Sequence, residues 1–151
     1  MTLDIPGRGS LSLNHVVFDF NGTLAVDGAL VPALLPLFRQ VMGQYQGHIL
    51  TADTFGTAEA VAKTLDCTVS VIRSGEDKAG YVEQLRDGAV AVGNGTNDTP
   101  MFRAAQLAIA ILGQEGASSQ ALLAADVVVT RIHDALELLL NPARLVATLR
   151  P

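Results

Sequence analysis

His15-Val16-Val17-Phe18-Asp19-Phe20-Asn21-Gly22-Thr23 is an apolar run that ends in a carboxylate and a polar, glycine-containing turn. Continuous apolar runs mark strands buried on both faces of a parallel sheet, so residues 15–20 read as the first core strand. A second segment repeats the pattern: Ala89-Val90-Ala91-Val92 leads into Gly93-Asn94-Gly95-Thr96-Asn97-Asp98. Each polar turn follows the carboxyl end of a strand, where open α/β sheets bind their ligands. The two turns read as halves of one site.

The rest of the chain alternates around these strands. Ile5-Pro6-Gly7-Arg8-Gly9 reads as a turn with Leu11 and Leu13 alternating after it, which predicts an N-terminal hairpin within residues 1–13 on the sheet edge. Asp27-Gly28 marks a turn. Val31-Pro32 starts a helix whose apolar face is Leu34, Leu35, Leu37, Phe38 and Val41. A short strand ends at Thr51, a helix spans 56–65 and a strand spans 68–72. An amphipathic helix over 77–86 turns Tyr81, Val82 and Leu85 inward. Strands at 89–93, 107–112 and 127–129 alternate with helices at 98–105 and 118–124. An apolar stretch at 135–140 precedes a last helix from Pro142. This order predicts an α/β fold, a three-layer sandwich with a central parallel sheet, in one domain over residues 1–151.

Composition narrows the function. Of 151 residues 49% are hydrophobic, enough for a well-buried core, yet no apolar run reaches the roughly 18 residues of a membrane span. Met1 to Gly7 lacks the basic start and apolar core of a signal peptide, and the lone Cys67 has no disulfide partner, so a cytoplasmic setting is expected. Cys67 itself reads as a small buried hydrophobe. A net charge of −5 with no basic stripe argues against nucleic-acid binding. His15, His48 and His133 lack metal-ligand spacing and read as surface or hydrogen-bonded residues. The apolar surplus predicts a homo-oligomer, since obligate interfaces resemble a core cut in half.

Two further segments lie between the polar turns: the apolar Ile49-Leu50 ending in Thr51, and Lys78. Asp19 with its turn, Thr51, Lys78 and Gly93–Asp98 together resemble, in order, the four motifs of the haloacid dehalogenase-like (HAD) superfamily. From His15 to about Leu140 the chain is most similar to its small soluble P-type ATPase-like proteins. The intervals from Thr23 to Thr51 and from Thr51 to Lys78 hold about one helix or one strand–helix unit each, so a Rossmannoid core without a cap domain is expected.

The resemblance implies a phosphohydrolase acting on a small phosphorylated substrate or a phosphoprotein. Asp19 would be the nucleophile and a Mg²⁺ ligand, with the Asn21 carbonyl as a second ligand and Asn94 and Asp98 completing the metal site directly or through water. Thr51 and Lys78 would hold the phosphoryl oxygens, with Gly22 and Ala52 lining the same pocket. Taken as ordinary structure, Thr51 precedes a turn with Asp53, residues 73–78 are a solvated helix start, and Asn94 and Asp98 are turn and N-cap residues.

Two residues depart from the pattern. Asn21 stands where phosphatases of this superfamily have the Asp that protonates the leaving oxygen and activates water, so a slow enzyme is expected. Asn94 replaces a charged metal ligand with a neutral one, which predicts weaker Mg²⁺ binding. Asn21-Gly22 and Asn94-Gly95 are also deamidation-prone dipeptides. A phosphate- or protein-binding module without turnover is the reading from another class.

Overall fold

Every strand that the sequence marks as continuously apolar lies in one sheet. The computed structural model describes residues 1–52 and 57–151. The described elements run β1 (Thr2–Ile5), β2 (Gly9–Ser12), β3 (His15–Asp19), β4 (Ala25–Val26), β5 (Ala29–Leu30), α1 (Leu34–Met42), β6 (Gln46–Thr51), α2 (Thr57–Leu65), β7 (Thr68–Val71), α3 (Gly75–Glu83) and β8 (Ala89–Gly93). A 3₁₀ turn (Thr96–Asp98) then leads into α4 (Thr99–Ala104), β9 (Leu107–Ile111), α5 (Ser119–Ala124), β10 (Val127–Val129), α6 (Ile132–Leu140) and α7 (Pro142–Leu149).

Six strands pair in parallel in the order β10-β9-β8-β3-β6-β7. The chain leaves β3 in one direction through β6 and β7. It then returns to β8 on the other side and continues outward. That reversal makes a crevice beyond the carboxyl ends of β3 and β8, the switch point of a doubly wound sheet.

Strand alternation sorts the two faces. Val16 and Phe18 pack with Leu34, Phe38 and Val41 of α1 and Leu136 and Leu139 of α6. Val17, Ala89, Ala91 and Ala108 pack with Val82 of α3, Met101 and Phe102 of α4 and Ala121 of α5. His15 and Asp19 flank Val17 at the same period of two, so they belong to the α3–α5 side.

Some boundaries differ from the sequence reading. The N-terminal hairpin forms, but as its own two-stranded sheet with β1 beside α7, not on an edge of the main sheet. Alternation buries Leu3 and Ile5 there, and β7 and β10 remain the edges. Helix α1 starts at Leu34 and excludes Val31-Pro32, because Ala33 has a left-handed φ of 58°. Its apolar face is as expected, with Leu34, Phe38 and Val41 buried. The Asp27-Gly28 turn has φ of 51° and 78°, the two positive values that suit a two-residue hairpin, here joining β4 to β5. Helix α3 starts two residues early, at Gly75, because Ser74 caps it. Gly56 and Asp53 lie outside the described residues.

Gly88 sets the entry to the core strands. Its φ is +88°, its carbonyl accepts from Asn14 N and His15 N, and a Cβ there would sit 1.8 Å from Ser12 O. Gly88→Ala should therefore cost about 1–3 kcal/mol or more, roughly 2–12 °C in melting temperature. An unchanged melt would show that the Ser12–Gly88 crossing is not held.

Candidate active site

The turn after β3 is closed by its own backbone. Leu24 N and Ala25 N donate to Phe20 O (3.0 Å each) and Gly22 N donates to Ala25 O (2.7 Å). Gly22 has φ +78°, and a Cβ on it would lie 2.5 Å from Asn94 Nδ2 and 2.7 Å from Glu115 Oε2. Lacking a side chain, it lets the two polar turns touch.

Lys78 reaches the same place from the first turn of α3. Ser74 Oγ accepts from Asp77 N (3.1 Å), Glu76 and Asp77 stay exposed at the positive helix end, and Lys78 faces inward. Its Nζ donates to Asp19 Oδ1 (2.6 Å) and to Asp98 Oδ1 (2.7 Å). Lys78 is 2% exposed and Asp98 0%. The solvated helix start and the buried lysine are thus both present, on opposite faces of one turn.

Asp98 precedes α4 but its carboxylate does not cap it. Instead Oδ2 accepts from Asn94 N and Gly95 N, both 2.9 Å, and so shapes its own loop. A Cβ on Gly93 would lie 2.5 Å from that oxygen, which explains the glycine there. Asn94 Nδ2 donates to Gly116 O (3.0 Å) and Ser118 N donates to Asn94 O (2.9 Å).

Thr51 is buried at the carboxyl end of β6, beside β3, and its carbonyl accepts from Ile72 N (2.7 Å). Ala52 follows it, exposed, and Asn21 is exposed on the turn after Asp19. Asp19, Lys78, Asp98, Gly22 and Asn94 therefore converge directly, and Thr51 lies on the neighbouring strand end.

Sequence reasoning missed Glu115. It sits in the loop after β9, a third strand end at the same edge of the sheet, and its Oε1 accepts from Asp27 N at 3.4 Å. The only signal was a polar Gly113–Gly116 turn after an apolar strand.

Two carboxylates and one ammonium leave a buried excess of negative charge. Burial and the neighbouring Asp98 push Asp19 up to about 7, against the pull of Lys78. Burial opposes the charge on Lys78, but Asp19 and Asp98 outweigh it and hold its pKa above the ordinary lysine value. Such a site favours a cation. The residues that could hold a hard ion such as Mg²⁺ are Asp19, Asn21 through its carbonyl and Asn94 through its amide oxygen. Both Asp98 oxygens are already engaged, which puts this residue behind Asn94. Thr23 Oγ1, in the turn after β3, and Thr99 Oγ1, at the start of α4, are buried without a hydrogen-bond partner among the described residues. Among those residues no group of three or more His, Cys, Asp or Glu is arranged to hold a metal, so an ion here would depend on amide and carbonyl oxygens.

The architecture has known counterparts. The 3-deoxy-D-manno-octulosonate 8-phosphate phosphatase of Moraxella catarrhalis, solved with magnesium, phosphate and KDO, matches with a TM-score of 0.71 over 92% of this chain and 94% of that one, at 14% identity. The cobalt-bound phosphatase YrbI of Haemophilus influenzae matches with a TM-score of 0.72 over 86% and 88%, also at 14% identity. The fold is that of the haloacid dehalogenase-like superfamily.

Within this HAD-like fold a zinc-transporting PIB-type ATPase in its E2.Pi state matches at 26% identity with a TM-score of 0.68, over 79% of this chain and 20% of that one. Among the described residues no helix is long and apolar enough to cross a membrane. In sequence, 61 residues are 51% identical to an uncharacterized protein of Methanocaldococcus jannaschii, covering 40% of this chain and 66% of that protein. No family model matches. Between Thr23 and Thr51 the HAD-like core carries only β4, β5, α1 and β6, with no inserted domain over the site from that interval.

Proposed function

We propose that this protein is a Mg²⁺-dependent phosphohydrolase that forms an aspartyl phosphate on Asp19. The observation that carries the reading is the buried Asp19–Lys78–Asp98 ion triad at the switch point of a HAD-like sheet. Lys78 holds Asp19 Oδ1, which leaves Oδ2 to attack phosphorus. The P–O bond to the leaving group breaks and its oxygen keeps the electron pair. Water then cleaves the acyl phosphate. Lys78 and Thr51, with the backbone at Gly22 and Ala52, hold the phosphoryl oxygens. Asp19, the Asn21 carbonyl and Asn94 would hold Mg²⁺, with Asp98 behind them. The ion neutralises phosphoryl charge when bound.

Asn21 neither donates a proton as an acid nor accepts one as a base. The first half-reaction therefore suits good leaving groups, and the second is slow. Asn21→Asp should raise turnover of an alkyl phosphate about 10²-fold, the lower end of what general acid–base catalysis contributes. Steady-state rates on an alkyl and an acyl phosphate check this, and an unchanged alkyl rate removes the missing-acid account.

The substrate of this reading is a small phosphorylated metabolite or a phosphoprotein side chain. Exposed Leu112, Leu123 and Val128 near the β10 edge support self-association into a homo-oligomer, which light scattering would test. The alternative is an ATPase-like relative or a binding module without turnover, favoured by the two asparagines at Asn21 and Asn94. Hydrolysis of acetyl phosphate and p-nitrophenyl phosphate with and without Mg²⁺ decides between them. Metal-dependent turnover supports the enzyme, and stabilisation by phosphate without turnover supports the module.

A further inference from the structure

One layer beneath the triad, on the same face of the sheet, lies a chain of polar side chains that phosphoryl transfer does not use. His15 on β3 and His48 on β6 are 8% and 9% exposed. His15 Nδ1 lies 3.0 Å from His48 Nε2, and His48 Nδ1 lies 2.9 Å from the Tyr81 hydroxyl. Tyr81 is three residues after Lys78 on α3, so the two side chains share one face of the helix.

Helix α3 packs through small apolar side chains and one aromatic, with half-buried Tyr81 against the same cluster as Val82. Its buried side chains are Lys78, Ala79 and Val82, and it contains Gly75 and Gly80. Gly75 lets its first turn press on Asn97 O, where a Cβ would come within 2.6 Å. Apolar burial is non-directional, whereas a hydrogen bond with a preferred distance and angle adds a set point. Below Lys78, the bond from Tyr81 to His48 is that set point.

The chain has a proton count. With both imidazoles neutral, each ring has one N–H. His48 then either donates to His15 and accepts from Tyr81, or the reverse. One added proton lets His48 donate to both partners. A second proton sets N–H against N–H across 3.0 Å and breaks the contact. Among the described residues no carboxylate relieves this. From α3 the pair faces Tyr81, while Lys78 is engaged with Asp19 and Asp98 and Glu83 is exposed. The flanking strands offer Ala89 beside His15 and Thr68 beside His48, and Arg86 and Asp87 before β8 are exposed. Burial first, and then His15, hold His48 below the ordinary imidazole value, so the folded state favours the neutral ring. The contact is therefore closed at neutral pH and opens only below the ordinary imidazole value of about 6.5, where the second proton binds.

We propose that the Tyr81–His48–His15 chain is a positioning device for Lys78, closed while the two imidazoles share at most one proton and opened by the second. The proposal rests on Lys78 serving phosphoryl transfer.

The test compares wild type, Tyr81→Phe and His48→Gln by two readouts. One is the pH profile of acetyl phosphate hydrolysis with Mg²⁺ from pH 5.5 to 8. The other is the ¹⁵N–¹H signal of the Lys78 ammonium, which needs no turnover. Tyr81→Phe should lower kcat about tenfold with KM within twofold, and should broaden or shift the Lys78 signal at pH 7.5. His48→Gln keeps a donor and an acceptor without titrating. It should preserve neutral activity and flatten the acid limb seen in wild type. Asp19 titrates in both proteins, so the difference between their profiles isolates the imidazole pair. His48→Gln also keeps the test decisive if Tyr81→Phe fails to fold. Identical profiles and an unmoved Lys78 signal would overturn the proposal. A Lys78 signal that responds in a protein without turnover would support the positioning and reject the phosphohydrolase reading.

Discussion

Lys78→Met should be the most damaging single substitution in this protein, and its damage should depend on pH. The ammonium stands between two carboxylates, with side chains only 3% exposed for Lys78, 12% for Asp19 and 0% for Asp98. Methionine keeps the volume and removes the charge. Breaking a buried ion pair from one side costs about 3–5 kcal/mol because the partner charge is left uncompensated, which is roughly 6–20 °C in melting temperature. The cost is largest when both carboxylates are ionised. Asp19 already takes up a proton near pH 7 in the metal-free protein, pushed there by burial and Asp98, and without Lys78 it does so at higher pH. The destabilisation should therefore be full near pH 9 and much smaller near pH 5. Turnover should fall about 10²–10³-fold, as when a preorganised donor to a phosphoryl or oxyanion group is removed. Melting curves at the two pH values check the first part. Equal losses at both would mean that the triad does not hold the charge described.

The second large effect is Asp19→Asn, which should silence the protein while stabilising it. Loss of the nucleophile should bring acetyl phosphate hydrolysis to background. Asparagine still accepts from Lys78 but carries no buried charge. The sign follows from linkage. The folded-state pKa of Asp19, about 7, lies above the ordinary 3.8. Stability from this group is then full below about pH 4 and lost as the pH rises through 7. Asp19→Asn should leave the metal-free protein unchanged near pH 4 and stabilise it by about 1–3 kcal/mol at pH 8. Mg²⁺ should stabilise wild type at pH 8 and have far less effect on Asp19→Asn. A variant less stable than wild type at pH 8 without metal would show that Asp19 serves the fold and not a site under strain.

The fold was legible where burial wrote it into the sequence. Residues 16–18 and 89–92 are apolar at every position because helices cover both faces of the sheet, and their ends coincide with the two polar turns. Boundaries set by single backbone angles were not legible. Ala33 has a left-handed φ that no composition rule anticipates, and it moved the start of α1. The two-residue strands β4 and β5 are too short to show a period. In the candidate site, Asp19, Lys78 and Asp98 were picked out by their resemblance, in order, to the HAD motifs, whereas the residues alone also read 73–78 as a solvated helix start. Glu115 and the His15–His48 pair were not. Both contacts join residues far apart in the chain, 88 positions for Glu115 and Asp27 and 33 for the histidines, and neither has a local spacing. Cys67 is half-buried against the core, less covered than its reading as a small buried hydrophobe expects, and burial pushes its thiol up to about 12, which leaves little thiolate.

The central claim is that Asp19 carries a phosphoryl group during turnover. Slow hydrolysis caused by Asn21 should make that intermediate accumulate. The direct measurement is to mix the protein with acetyl phosphate and Mg²⁺, quench in acid, and locate the phosphoryl group by peptide mass spectrometry. We expect it on Asp19, absent without Mg²⁺ and absent in Asp19→Asn. Hydrolysis that proceeds with no phosphoryl group on Asp19, and at the same rate in Asp19→Asn, would contradict the account.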